Sequence, residues 1–110
     1  MRVIYHRGLT QEQWFNRIIF DQMANIGSEV LRAISWRERN AEYSRQALYR
    51  ALELLDLTVE DSKNVDRLKE LLRVRETLVD YFVYDNSYRS SDEHWQTYFY
   101  AFNLAANRDR

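Results

Sequence analysis

The 110-residue chain contains no cysteine and no proline, and only two glycines (Gly8, Gly27) and two histidines (His6, His94). Each shortage closes off a class of answers. Without cysteine there is no disulfide, no thiolate nucleophile and no cysteine-based metal site. Sheets and loop-rich folds need proline and glycine at their turns, whereas helices joined by short connections do without them. A di-iron bundle needs two Glu-x-x-His motifs, and neither histidine stands in one: Ser91 lies three residues before His94, and Val3 three before His6. A His-Glu-x-x-His zinc site, a glycine-rich phosphate loop and a nucleophile elbow are missing as well. Neither metal nor cofactor is expected.

Charge of one sign is also lacking. The formal net charge is −1, with no block or stripe of basic residues. A protein that neutralises nucleic-acid phosphates carries such an excess, so nucleic acid is not an expected partner. No apolar run approaches the roughly 18–20 residues of a membrane span. The first seven residues, Met1 to Arg7, lack the apolar stretch of a signal peptide. The expectation is a cytoplasmic protein with no membrane association.

What is present is a 45% apolar, 30% charged chain of a length that suits one domain. Fourteen of its sixteen basic residues are arginine, the side chain suited to bidentate carboxylate pairing and to stacking on aromatics. Apolar spacing near 100° per residue predicts four helices, at about 11–38, 41–57, 63–84 and 91–107. Thr10-Gln11-Glu12-Gln13 reads as a capping box at the first start, and Ser90-Ser91-Asp92-Glu93 supplies another at the last. Gly27-Ser28 and Ser35-Trp36-Arg37-Glu38 are possible breaks in the first helix. The predicted fold is all-α, a four-helix up-and-down antiparallel bundle.

After one core is built, apolar faces are left over. Phe20, Ala24, Gly27 and Leu31 succeed one another at spacings of four, three and four. This is the seam of a helix–helix contact, and the small residues let another backbone approach closely. Either the first helix is central and touches all its neighbours, or the seam receives a helix of a second subunit. Tyr100 and Leu104 on the last helix and Tyr81 on the third also lie off the main stripes. Together these seven residues define an expected homodimer interface. Arg75 falls among Leu71, Leu72, Leu78 and Val79, and a buried guanidinium requires a carboxylate. Glu29 is its expected partner, in a buried ion pair that sets helix register. The alternatives are that Arg75 carries its head to the bundle end, or that it binds a small molecule or anion inside the bundle.

Residues 80–100 hold eight of the sixteen aromatics and four carboxylates. The carboxylates lack calcium-loop spacing and are read as a solvated capping cluster. Within this stretch, Arg89-Ser90-Ser91-Asp92-Glu93-His94 is arginine, four residues, histidine, on the approach to the last helix. It resembles the Arg-x(4–6)-His signature of HEPN-type helical ribonucleases. The resemblance implies metal-independent catalysis, with His94 in proton transfer and Arg89 stabilising the phosphate. A second stretch, Arg75-Glu76-Thr77-Leu78-Val79-Asp80-Tyr81-Phe82, is similar to that family's Arg-Asn-x-Leu-Val-His-x-Tyr-Phe motif. There Asp80 stands in the histidine position and Glu76 replaces asparagine. The expectation that covers most of these features is a non-enzymatic, self-associating helical module. Its alternatives are the ribonuclease using Arg89 and His94, and ligand binding near Arg75.

Overall fold

Thr10 accepts the amide of Gln13 at 3.1 Å, and the Gln13 side chain accepts the Thr10 amide at 2.9 Å. This reciprocal cap starts a short helix, α1 (Gln11–Phe15). The computed structural model describes His6 and residues 8–108, so the segment on which the signal-peptide reading rests lies mostly outside the described residues. Those residues are all-helical in class: α2 (Ile19–Trp36), α3 (Ala41–Glu60), a 3-10 helix (Ser62–Arg67), α4 (Leu68–Phe82) and α5 (Asp92–Asn107) come after α1. Among them no helix is long and apolar enough to cross a membrane.

The first predicted helix is two helices, and the break lies at residues 16–18, not at Gly27 or Ser35. On one continuous helix Trp14 would stand about 180° from Met23. The bend lets both be buried, at 2% and 1% exposure. The predicted helix at 63–84 also begins differently. Asp61 accepts the Lys63 amide at 3.2 Å and caps a 3-10 segment, which changes the register of α4. Val65 and Leu72 face outward, while Val74 is buried beside Leu71 and Leu78. The second predicted helix runs on to Glu60, and Asn40 caps it by accepting the amides of Glu42 and Tyr43.

The core is built around α2. Met23, Ile26 and Val30 pack with Leu54 and Leu55 of α3, Leu71 and Leu78 of α4, and Trp95 and Phe99 of α5. Between α2 and α3, Ser44 Oγ donates to the Ala33 carbonyl at 2.6 Å. Between α2 and α5 the approach is closer still: a Cβ added at Gly27 would lie 2.6 Å from Phe99 Cβ. Here glycine is needed for the contact itself.

A polar network closes one end of the core. The Gln22 side chain, fully buried, donates to the Trp14 carbonyl at 3.1 Å and to Asp61 Oδ2 at 3.0 Å. Its own oxygen accepts from Asn64 Nδ2 at 2.8 Å, and that nitrogen also donates to the Thr58 carbonyl. The Trp14 indole N–H donates to Thr58 Oγ1 at 3.0 Å. Lys63 Nζ pairs with Asp61 and reaches the Phe15 carbonyl at 2.7 Å. Burial alone would raise the Asp61 carboxyl, but the hydrogen bonds from Lys63 and Gln22 outweigh it and hold it below its ordinary value. Every one of these buried groups is satisfied, which is the condition for such a network to support a fold.

Candidate functional site

The seam read from the sequence is divided in two by the fold. Its inner half is occupied within the chain: Gly27 is buried under Phe99, and the Phe20 ring lies 6.4 Å from that of Phe102. The helix that the small residues admit is α5 of the same chain. The outer half stays open. Ala24 and Leu31 of α2 face Tyr100 of α5 across a groove of about 420 Å³. Leu31 is 36% exposed, Tyr100 58% and Leu104 55%. Tyr81 does not join this face. Its ring packs on Phe82 and its hydroxyl donates to Asp92, at the other end of the fold.

Arg75 and Glu29 are not brought together. Arg75 Nε donates to Asp56 Oδ1 at 2.7 Å, with the Arg75 side chain 39% exposed. Glu29 accepts from Arg50 Nε at 3.0 Å and from Arg32 at 3.1 Å. Both residues sit on the flanks of their apolar stripes, where a long side chain lies along the helix and ends in a neighbouring helix's charge. The pair expected inside the core is thus replaced by two pairs that join α3 to α4 and α2 to α3. Arg75 lines an open surface hollow between α4 and the turn after it.

Arg89 and His94 do come together. The turn between α4 and α5 is pinned by the buried Asp80 carboxylate, which accepts the amides of Ser87 at 2.9 Å and Tyr88 at 3.1 Å. Asp80, in the histidine position of the second motif, is therefore occupied as a turn cap. Asn86 bonds the backbone of Ser90 in both directions, at 2.8 and 3.0 Å. Asn86 and Arg89 both hold positive φ, 54° and 57°, a region that side-chain-bearing residues enter only when the surroundings impose it. Ser91, rather than Ser90, caps α5 by accepting the His94 amide at 3.1 Å. The result places Arg89 and His94 on one groove of about 480 Å³ between α4 and α5.

Three further lining residues could not be read from local sequence because they come from different elements: Arg73 of α4, Tyr88 of the turn and Tyr98 of α5. The Arg73 guanidinium lies 5.9 Å from the Tyr88 ring centroid. Tyr98 donates to Glu70 at 2.8 Å, and burial, reinforced by that carboxylate, pushes its phenol up. Glu70 in turn is paired with Arg67 at 3.2 Å. The only signal in the sequence is that Arg73 and Thr77 share a face of α4 at helical spacing.

Next to the groove, a charged clasp joins three helix ends. Arg37 Nη2 donates to Asp92 Oδ2 at 2.8 Å, Tyr81 donates to the other oxygen, and the guanidinium lies 5.8 Å from the Tyr81 ring centroid. Burial would raise the Asp92 carboxyl, but the bonds from Tyr81 and Arg37 outweigh it and hold it low. Burial and the same carboxylate push the Tyr81 phenol up. With each member engaged by the other two, the clasp is a fastening and has no free acid or base to offer. No protein-family model matches the chain, nor does any curated protein sequence or solved structure.

Proposed function

We propose that this chain is a non-enzymatic helical module of the cytoplasm that pairs with a second copy of itself through the outer edge of α2 and α5. The observation that carries this reading is the strip formed by Leu31, Tyr100 and Leu104 beside the open groove, on two helices whose other apolar residues face mainly inward. Tyrosine and leucine at the middle of a paired surface bury large area at little conformational cost. In this reading α2 to α5 form an up-and-down antiparallel bundle. The residue pairs that support it step in opposite directions along neighbouring helices: Ala33 with Ser44 and Glu29 with Arg50, then Arg37 with Asp92 and Phe20 with Phe102.

Sedimentation equilibrium tests the pairing. A dimer is expected at tens of micromolar, and Tyr100→Arg is expected to weaken it by about 30-fold or more. Because Tyr100 is exposed, the thermal midpoint of the separated chains should hardly move. A strict monomer at that concentration would end the proposal.

A second reading is favoured by one observation, the meeting of Arg89 and His94 on the α4–α5 groove. It makes the chain a metal-independent ribonuclease, His94 moving the proton and Arg89 holding the phosphate. It requires RNA cleavage in the presence of a chelator, abolished in both His94→Ala and Arg89→Ala.

A further inference from the structure

We propose that the groove between α4 and α5 is a binding site for a small amphiphilic anion: a flat apolar body carrying a single carboxylate or phosphate head. The inference concerns binding and does not rest on either reading above.

The charges come first. Arg73 and Arg89 both line the groove, and neither has an ion pair among the described residues. Six of the eleven described arginines are engaged with carboxylates, and these two, on the same groove, are among the five that are not. The one carboxylate on the groove wall, Glu70, is already held by Arg67 and the Tyr98 hydroxyl. The mouth therefore presents two planar cationic forks, the geometry that takes an oxyanion bidentately.

The walls supply the second half. Trp95 and Tyr98 stand edge to face with ring centroids 6.0 Å apart, and Tyr88 closes the turn side. The cavity, about 480 Å³, falls within the range that holds a small organic molecule. A single-headed anion with one ring fits within such a space; a bare inorganic ion leaves the aromatic wall without a partner.

A third observation concerns the same wall. Trp95 is 2% exposed and lines the groove, yet its indole N–H is the one buried side-chain polar atom with no hydrogen-bond partner among the described residues. Buried donors in native proteins are almost always satisfied, which makes this unpartnered indole in the groove wall an exception. The turn that carries Arg89 is fixed in advance by Asp80 and Asn86, which keeps the ordering cost of binding low.

The experiment is a titration of the full chain with phenyl phosphate and with benzoate, monitored by amide and indole proton–nitrogen spectra, with phenol as the neutral control. The three indole signals of Trp14, Trp36 and Trp95 are assigned with a Trp95→Phe variant. A saturable movement of the Trp95 indole signal is expected with at least one anion, with Trp14 and Trp36 unmoved and phenol without effect. Whichever head binds tighter gives the ligand's class. Arg73→Gln and Arg89→Gln should each weaken binding about tenfold, as loss of one charge-assisted bond implies. The inference is overturned if neither anion gives a saturable shift, or if both glutamine variants bind as the parent does. RNA cleavage without any shift from the small anions would overturn it too, while leaving the catalytic reading in place.

Discussion

Replacing Phe99 by alanine is expected to lower the stability of the fold by about 3–5 kcal/mol, at the top of the range for single core truncations. Phe99 is 2% exposed, stacks on Trp95 at 5.9 Å, meets Tyr98 at 5.0 Å and covers Gly27. The cavity cannot be closed by a simple inward shift, because α2 and α5 already touch at the level of Gly27 and Phe99 Cβ remains in the variant. The loss thus includes both the transfer of the ring to water and the unfilled space left behind. For a domain of this size, with a total stability of about 5–15 kcal/mol, that is from about a fifth of the margin to all of it. Urea unfolding measures it: the midpoint should fall sharply with an unchanged slope. A change of less than about 1 kcal/mol would mean that α5 does not cover α2 in this way.

Gln22→Glu is the second large effect. The side-chain nitrogen of Gln22 faces two acceptors, the Trp14 carbonyl and Asp61 Oδ2, at complete burial. Glutamate retains the size and exchanges the donor for a negative oxygen 3.0 Å from another carboxylate. An uncompensated buried charge costs about 3–5 kcal/mol. The penalty also depends on pH, with a definite sign. The introduced carboxyl has its folded pKa raised above the unfolded value of about 4.3, so the penalty is full above the folded pKa and vanishes below the unfolded one. Asp61 behaves oppositely: its folded pKa is depressed, so its stabilisation is complete above about 3.9 and is lost as pH falls through the folded value. The variant should therefore approach the parent as the solution is taken from neutral pH towards about 4.5, before the parent itself weakens. Thermal midpoints of the two chains across that interval would show whether the gap closes; a gap constant with pH would mean that the introduced carboxyl titrates alike in the folded and unfolded chains.

How much of this was legible in the sequence differs from feature to feature. The Thr10 cap was legible because a capping box is a local exchange of hydrogen bonds. Trp95 and Phe99 were legible as core because helical spacing alone places them on one face. Ala24 and Gly27 announced a close helix contact but not which helix makes it, since that depends on how α5 returns across the fold. The Arg75–Glu29 pairing failed for a geometric reason: spacing fixes an angle around the helix, and the flank and centre of a stripe lie too close in angle to separate. The 3-10 segment after Asp61 gives α4 a new start, and Val74 rather than Leu72 faces the core. The α4–α5 groove gathers Arg73, Arg89 and Trp95 from three elements, and no local pattern joins them.

The distribution of contacts along the chain has a consequence for the order of assembly. Ala33 and Ser44, which join α2 to α3, are 11 residues apart, whereas Arg37 and Asp92, which join α2 to α5, are 55 apart. Closing the longer loop costs more chain entropy, by about 1.4 kcal/mol for a flexible segment. Local pairs form on the fast side of the folding reaction and distant ones on the slow side. The α2–α3 hairpin is thus the natural nucleus, and α5 docks onto a surface already made. The Gly27 face of α2 is then the last part of the protein to be covered during folding and the first to be uncovered when the chain opens.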